Sequence, residues 1–259
     1  MAELLPSPLT ADKSARPIAV GHRGASADAP ENTMAAFRAN WRAGARWLET
    51  DTQPTADNVP VLVHDDELDR TTSGTGNVRD AQAHDIAALD AGSWFGAAFA
   101  GEKVPELSTL LAELPPDDRV FLEFKGSHTP DEVVAVLDVC RASGADDRVL
   151  AQSFERDVLA TIRQISPDRP VGLLTVAWDD DPIAVCRALG AVSYNPHHQL
   201  LRAQPDPAAA VAALHAAGIA VSVWTADVEA DWTFLTEVGV DAIMTNKPAA
   251  LVEWLQRSR

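Results

Sequence analysis

Short apolar runs alternate along the chain with stretches in which apolar residues recur at helical spacing. Met34, Phe37 and Trp41 lie three or four positions apart and predict a first helix, which Asn32 or Thr33 can cap. The predicted strands begin near residues 18, 46, 119, 148, 170, 191, 220 and 242. The predicted helices are Met34–Gly44, Leu107–Leu114, Pro130–Ser143, Phe154–Ile165, Pro182–Leu189, Pro207–Ala217, Glu229–Val238 and Pro248–Gln256.

One further apolar run, Val59–His64, does not fit this alternation. Only the short segment that ends with Thr55–Asn58 separates it from the second strand, Arg46–Asp51. A parallel return needs about a dozen residues or more, so the two runs are predicted to form a hairpin with Thr55–Asn58 as its turn. His64 is therefore expected outside the parallel sheet.

The segment Asp66–Pro105 follows the hairpin and is too long for an ordinary loop. It is rich in glycine and small polar residues, which indicates an insertion. Trp94, Phe95 and Phe99 are the predicted hydrophobic anchor of this insertion.

Eight strand–helix units in a chain of 259 residues predict a TIM (β/α)8 barrel with a small insertion after its second strand. The alternative is a doubly wound open sheet, which is less favoured because no G-x-G-x-x-G motif opens the first helix. We expect residues 17–259 to form one domain and residues 1–16 to be a flexible lead-in.

Composition narrows the class of protein. The chain is 46% hydrophobic and carries a net charge of −17, which argues against binding to nucleic acid or to anionic membrane surfaces. The N-terminal residues lack the basic start and apolar core of a secretory signal, and no run has the roughly 20 apolar residues of a membrane span. These features predict a cytoplasmic protein, and they leave the oligomeric state open.

Ionisable residues collect where the predicted strands end, which is where TIM barrels carry their active sites. Residues two apart on a strand face the same side, so Glu49 and Asp51 should point together, as should Glu123 and Lys125. The candidate residues at this rim are His22, Arg23, Glu49, Asp51, His64, Glu123 and Lys125.

Glu49, Asp51 and Glu123 would repel one another inside a barrel mouth unless a cation joined them. Hard oxygen ligands without a thiolate or histidine cluster suit Mg²⁺ or Ca²⁺, with Mn²⁺ also compatible. The alternative is that the first two carboxylates pair only with Arg46 and Arg23.

His22 and His64 fit a general acid and a general base that face each other across a phosphate group. Arg23 can donate planar hydrogen bonds to phosphate oxygens, and Lys125 can supply a point charge. Together with a divalent cation, these two residues would provide the positive field that an anionic substrate needs in an acidic protein.

Several motifs resemble the glycerophosphodiester phosphodiesterase family, and the resemblance extends from about Pro17 to Ala250. They are HRGASADAPENT, LETDTQPT, VLVHDDELDRTTSGTG, AGSWFGAAFAGEKVPEL, LEFK and VSVWTADVEADWTFLTEVGVDAIMTNKP. The short form without a signal peptide is similar to the cytoplasmic bacterial members. Thr52, Pro54 and the Asn58-Val59 turn depart from the family pattern, so the shape of the hairpin and the reach of His64 are open.

The resemblance implies a TIM barrel that hydrolyses glycerophosphodiesters to sn-glycerol 3-phosphate and an alcohol. By motif, His22 and His64 match the acid/base pair. Glu49, Asp51 and Glu123 match the metal ligands, and Arg23, Lys125 and Trp224 match the residues that contact substrate. We assign His22 as base and His64 as acid, although the sequence does not distinguish this order from the reverse. Attack by water and formation of a cyclic phosphate are both open as well.

Two other functions stay under consideration. One is a lysophospholipase D-like phosphodiesterase on the same barrel, which would need an apolar lip that the acidic sequence does not reveal. The other is a barrel that binds ligand without catalysis, against which the complete set of candidate residues counts.

Overall fold

The computed structural model describes residues 4–10 and 16–257, and in them eight parallel strands close into a barrel surrounded by helices. The strands are β1 Ile18–Gly21, β2 Trp47–Pro54, β3 Pro60–Leu62, β4 Arg119–Phe124, β5 Val149–Ser153, β6 Val171–Thr175, β7 Ala191–Pro196, β8 Ala220–Val223 and β9 Ala242–Thr245. The helices are α1 Met34–Arg42, α2 Ala83–Ala88, α3 Leu107–Glu113, α4 Pro130–Ala142, α5 Arg156–Ile165, α6 Pro182–Leu189, α7 His198–Arg202, α8 Pro207–Ala216, α9 Glu229–Glu237 and α10 Pro248–Arg257.

The strand order confirms the predicted TIM barrel and excludes the doubly wound alternative. All strands except β3 are linked by parallel pairing, and β1 pairs with both β9 and β2, which closes the cylinder. The sequence did not predict α2 or α7. These helices have only 6 and 5 residues, and each lies in a region that was expected to be irregular.

The strand β2 is longer than predicted, and its upper half explains where the hairpin lies. Its lower residues pair with β1, which ends at Gly21 opposite Leu48. Beyond that point β2 lacks this neighbour, and β3 takes its place in antiparallel pairing, with Thr52 opposite Leu62. The hairpin therefore extends the barrel wall at the rim where the strands end.

The predicted antiparallel hairpin is confirmed, although β3 ends two residues before His64. The turn is closed by a hydrogen bond from the Asn58 N–H to the Thr55 carbonyl, and Asn58 has φ +61°. Asparagine tolerates this left-handed conformation better than most residues, so it can replace a glycine in the turn.

The insertion has its own hydrophobic core, but the predicted aromatic anchor is wrong. Trp94 is 42% exposed, and its ring, with those of Phe95 and Phe99, forms edge-to-face contacts at the surface. The buried cluster is aliphatic instead, because the hairpin supplies apolar residues on which the insertion packs: Val61, Val63, Leu68, Val78, Ile86, Ala91 and Val104.

The N-terminal segment packs against the barrel, which differs from the predicted flexible lead-in. Leu9 is 2% exposed and belongs to a cluster inside the barrel with Val20, Trp47 and Phe121. The rest of the predicted lead-in, apart from residues 4–10 and 16, lies outside the described residues. Within the described part of the chain, none of the helices combines the length and the apolar character needed to cross a bilayer.

Candidate active site

The first candidate histidine lies just beyond β1. The N–H of His22 donates to the carbonyl of Thr245 on the neighbouring β9, at 2.9 Å, and its Nδ1 lies 2.7 Å from Oδ1 of Asn246. Asp227 in turn accepts hydrogen bonds from the backbone N–H and from Nδ2 of Asn246. Because an amide oxygen only accepts, His22 Nδ1 carries the proton and Nε2 is left as the basic atom.

Burial sets the protonation state of this histidine. It lowers the pKa of His22 to about 4, and repulsion from the adjacent Arg23 acts in the same direction. At neutral pH the ring is therefore uncharged.

Three carboxylates converge near the ends of β2 and β4, as predicted. Glu49, Asp51 and Glu123 are 2%, 1% and 6% exposed, and each contributes an oxygen to a group whose members lie within 4.8 Å of one another. Asp51 and Glu123 are direct partners in the β2–β4 register. A strand residue and its parallel neighbour point the same way, which is how two distant segments place their side chains together.

The electrostatics of this group favour a bound cation. Burial raises the pKa of Glu49 and of Glu123, and repulsion from Asp51 raises both further. Asp51 is itself buried, but Arg23, His64 and Lys125 together lower its pKa. A divalent ion would relieve the repulsion, and three carboxylate oxygens are a donor set that fits Mg²⁺, Ca²⁺ or Mn²⁺.

The loop after β1 places Arg23 among these carboxylates. Its backbone N–H donates to Glu49 at 3.0 Å, its Nε lies 3.3 Å from Asp51, and its Nη1 donates to Glu31 at 2.8 Å. The alternative pairing of the carboxylates with Arg46 is wrong, because Arg46 contacts Asp117 and Asp118 instead.

Two strained residues hold this loop in place. Arg23 and Asn32 both have φ +56°, a region that residues other than glycine adopt rarely. The Nδ2 of Asn32 donates to Asp51 at 2.8 Å, and its Oδ1 accepts from Thr50. Thr33, rather than Asn32, caps α1. Asn32 is thus a site residue that the sequence suggested only as a helix cap.

The loop also needs glycine at one position. Gly24 has φ +79°, and a Cβ there would lie 2.7 Å from the carbonyl carbon of Ala36 in α1. The close approach allowed by this glycine is therefore to the first helix, which fixes the loop that carries His22 and Arg23.

Lys125 extends from the end of β4 into the same group. Its Nζ donates to Glu123 at 3.0 Å and lies 4.0 Å from Asp51. It also lies 5.7 Å from the centre of the Phe154 ring. One ammonium group is thus shared between two carboxylates and remains available to an anion in the cavity.

His64 reaches the site from the hairpin. Its Nδ1 lies 2.7 Å from Oδ1 of Asp65, and the side chain of Gln53 donates to the carbonyls of Val63, His64 and Asp65. Burial lowers the pKa of His64, and the charges of Arg23 and Lys125 act in the same direction, while the charge of Asp51 and the hydrogen bond to Asp65 oppose that shift. Unlike His22, this ring has a carboxylate partner that favours its protonated form.

One cavity of about 360 Å³ brings the candidate residues together. Its polar side is lined by His22, Arg23, Glu49, His64, Glu123 and Lys125, and Asp51 lies behind them in contact with Arg23 and Lys125. Trp224 also lines this cavity, as predicted, and its Nε1 donates to the carbonyl of Asn195.

The apolar side of the cavity contains residues that the sequence analysis did not identify. Phe154 packs edge-to-face on Trp224, and Leu174, Val176 and Met244 complete this wall. Val176 is the most exposed residue of this wall, with 72% of its surface accessible. The available signal was their position at the ends of predicted strands, but apolar residues there are common and do not by themselves indicate a binding site.

The chain is similar to known proteins over most of its length. Residues 22–250 match the model of the glycerophosphoryl diester phosphodiesterase family. The glycerophosphodiester phosphodiesterase of Caldanaerobacter subterraneus subsp. tengcongensis is 30% identical over 243 residues, which cover 93% of this chain and 98% of that protein.

Solved structures agree in fold over nearly the whole chain. A phosphodiesterase from Oleispira antarctica, in complex with the product sn-glycerol-3-phosphate, has a TM-score of 0.86 at 27% identity, with 93% of this chain and 97% of that one covered. Glycerophosphodiester phosphodiesterase from Agrobacterium tumefaciens has a TM-score of 0.80 at 30% identity, with 92% and 99% covered. These comparisons confirm the predicted resemblance and enzyme class, and the chain belongs to the glycerophosphoryl diester phosphodiesterase family.

Proposed function

We propose that this protein hydrolyses glycerophosphodiesters to sn-glycerol 3-phosphate and an alcohol, with a divalent metal ion and two histidines. One observation carries the proposal: a cluster of three buried carboxylates, two of which line the cavity, lies with two histidines and two cations around a single cavity at the strand ends of the barrel. The product bound to the Oleispira antarctica relative supports glycerol phosphate as the recognised half of the substrate.

Glu49, Asp51 and Glu123 are the proposed metal ligands, and Mg²⁺ or Ca²⁺ is the proposed ion, with Mn²⁺ as a further candidate. When bound, such an ion neutralises the carboxylates and lowers the charge barrier to attack at phosphorus. Arg23 and Lys125 are the proposed contacts to the phosphate oxygens, since both cations face the cavity. Their positive charges are already engaged by carboxylates, so they are oriented before substrate arrives.

The two histidines have the partners that a base and an acid need. His22 is neutral with Nε2 free, so it can accept the proton of the attacking hydroxyl group. His64 is oriented by the Asp65 carboxylate, so it can donate a proton to the departing alcohol oxygen. The P–O bond to the alcohol breaks as the new P–O bond forms, and the two proton transfers balance.

The apolar wall supports a broad choice of alcohol. Phe154, Val176 and Trp224 offer surface contact without a charged group that would select one headgroup. We propose that choline, ethanolamine, glycerol and inositol esters are all hydrolysed. The exposed Val176 also supports a second candidate activity, release of the headgroup from lysophospholipids.

Three further features are proposed from the sequence. Residues 17–259 form one domain, the protein acts in the cytoplasm, and the net charge of −17 disfavours nucleic acid as a partner. Limited proteolysis of the purified protein tests the single domain, and fractionation of the native cells tests the location in the cytoplasm.

The experiment offers glycerophosphocholine and lysophosphatidylcholine to the purified protein with Mg²⁺ or Ca²⁺, with and without a chelator. We expect release of sn-glycerol 3-phosphate that the chelator abolishes and that added metal restores. His64→Ala should lose the activity, whereas His84→Ala, at an exposed histidine of the insertion, should keep it. Activity that the chelator does not change would refute the proposed metal dependence. Choline released faster from lysophosphatidylcholine than from glycerophosphocholine would favour the second candidate activity.

A further inference from the structure

Arg70, in the insertion, binds two carboxylates with one guanidinium group. Its Nε and Nη2 donate to both oxygens of Asp65, and its Nη1 and Nη2 donate to both oxygens of Glu31, at 2.5 to 2.9 Å. Bonds of this forked kind fix the plane of each carboxylate as well as its distance.

Each carboxylate also binds a residue of the proposed active site. Asp65 contacts Nδ1 of His64 at 2.7 Å, and Glu31 accepts from Nη1 of Arg23 at 2.8 Å. A continuous chain therefore runs from His64 through Asp65, Arg70 and Glu31 to Arg23. It joins the hairpin and the loop after β1, which share no backbone hydrogen bonds near these residues among those described.

The His64 end of this chain has little other support. His64 lies beyond the last residue of β3, so no strand pairing fixes its ring, and Gln53 holds only the backbone around it. Exposed ion pairs usually contribute little to stability, and Arg70 is half exposed. The expected effect of this arrangement is to orient the two carboxylates. A lysine could not do this, because its ammonium group lacks the planar set of donors that binds both oxygens of a carboxylate.

We propose that Arg70 is a positioning residue that holds His64 and Arg23 in register across the mouth of the cavity. The proposal rests on the function proposed above, in which His64 protonates the leaving alcohol and Arg23 binds the phosphate. It assigns a role in catalysis to the insertion, although no side chain of the insertion, Arg70 included, is among the described residues that line the cavity.

The test compares two esters of glycerol phosphate on the variant Arg70→Met. Choline leaves as an alkoxide that needs a proton, whereas 4-nitrophenolate leaves without one. We expect kcat for glycerophosphocholine to fall by about 10- to 100-fold, and kcat for the 4-nitrophenyl ester to fall at least several-fold less. The KM should rise for both esters, because Arg23 serves both. Arg70→Lys should not restore kcat.

Arg79→Met is the matched control. Arg79 is also in the insertion, is similarly exposed, and pairs with Glu132 of α4 at 2.7 Å without touching the chain from His64 to Arg23. Thermal unfolding of both variants separates stability from positioning. The ratio of the kcat values for the two esters is measured on one protein sample. Partial unfolding lowers both values alike, so it does not change their ratio.

The outcomes are distinct. Equal losses on the two esters, full rescue by Arg70→Lys, or the same kinetics in Arg70→Met and Arg79→Met would each overturn the proposal. If the wild-type protein itself hydrolyses neither ester, the proposed function fails instead.

Discussion

The surroundings of the two histidines differ more than the histidines themselves. His22 is held at the end of a barrel strand, half-buried, with the neutral amide of Asn246 as its partner. His64 is held on the hairpin that extends the rim, is partly exposed, and has the carboxylate of Asp65 as its partner. An amide oxygen fixes a tautomer without adding charge, whereas a carboxylate also stabilises the imidazolium.

In the proposed mechanism, this contrast would assign the two proton transfers to different histidines. A base needs a free lone pair at working pH, and a histidine whose pKa is about 4 has one throughout the neutral range. An acid needs a proton to give, and a neighbouring carboxylate favours the form that carries it. The barrel wall provides the first environment, and the hairpin with the adjoining Asp65 provides the second.

The largest expected effect comes from removing each ring in turn. His22→Asn should lower kcat by about 10²- to 10⁴-fold for glycerophosphocholine and for the 4-nitrophenyl ester alike, because both reactions need the base. His64→Asn should lower kcat by a similar factor for the choline ester only, since 4-nitrophenolate needs no acid. Steady-state kinetics with both esters measure the difference.

If His22→Asn affected only the choline ester and His64→Asn affected both esters, the assigned roles would be exchanged. If each variant lost kcat equally on both esters, the two histidines could not be distinguished as base and acid. His84→Asn is the control for the substitution itself, because His84 lies in the insertion with its side chain exposed to solvent. Circular dichroism of the three variants checks that each is folded.

The next effect in size comes from the partner of the acid. Asp65→Asn keeps the shape of the side chain but removes the charge that favours protonated His64. The pKa of His64 should fall, so the limb of the pH–rate profile on which activity declines with rising pH should move to lower pH. At neutral pH we expect a loss of about 10-fold in kcat for the choline ester. A profile that keeps its position would show that Asp65 does not support the acid.

A smaller effect concerns the unaltered enzyme. Burial and the cations Arg23 and Lys125 lower the pKa of His64 when the cavity holds no anion. A bound phosphodiester would offset these positive charges and raise that pKa. The profile of kcat reports the enzyme–substrate complex, and the profile of kcat/KM reports the free enzyme. The decline of activity at alkaline pH should therefore begin at a higher pH in the kcat profile than in the kcat/KM profile. The limb at low pH should be set by His22, near pH 4. Coincident high-pH limbs would contradict this account.

The sequence predicted most of the barrel because its strands and helices follow hydrophobic periodicity, which is a local property. It also placed Glu49, Asp51 and Glu123 together, since two-residue spacing on strands of known direction decides which side chains share a face. The eight parallel strands and the metal-type cluster agree with that reasoning.

The parts that failed depend on contacts between distant segments. The aromatic residues Trp94, Phe95 and Phe99 gave no sign that the hairpin would supply an aliphatic surface for the insertion. Asn32 was indistinguishable from a helix cap, because only the folded loop shows its amide on Asp51. Arg70 and Glu31 gave no signal either, since ion pairs across 39 positions leave no local pattern.

The smallest expected effect tests whether the support of His22 is as fragile as that of His64. Thr245 is buried and donates to Asp227, the carboxylate that also holds Asn246 at two points. Thr245→Val keeps the shape and removes two hydrogen bonds, one of the three to Asp227 and the one that the Thr245 hydroxyl accepts from the Lys247 N–H. The free energy of unfolding should therefore fall by about 2 kcal/mol and kcat by less than about threefold. Urea denaturation and kinetics measure both quantities. A large loss of kcat would mean that the position of His22 depends on this one side chain, much as the His64 ring depends on Asp65. The two histidines would then not differ in how firmly they are held.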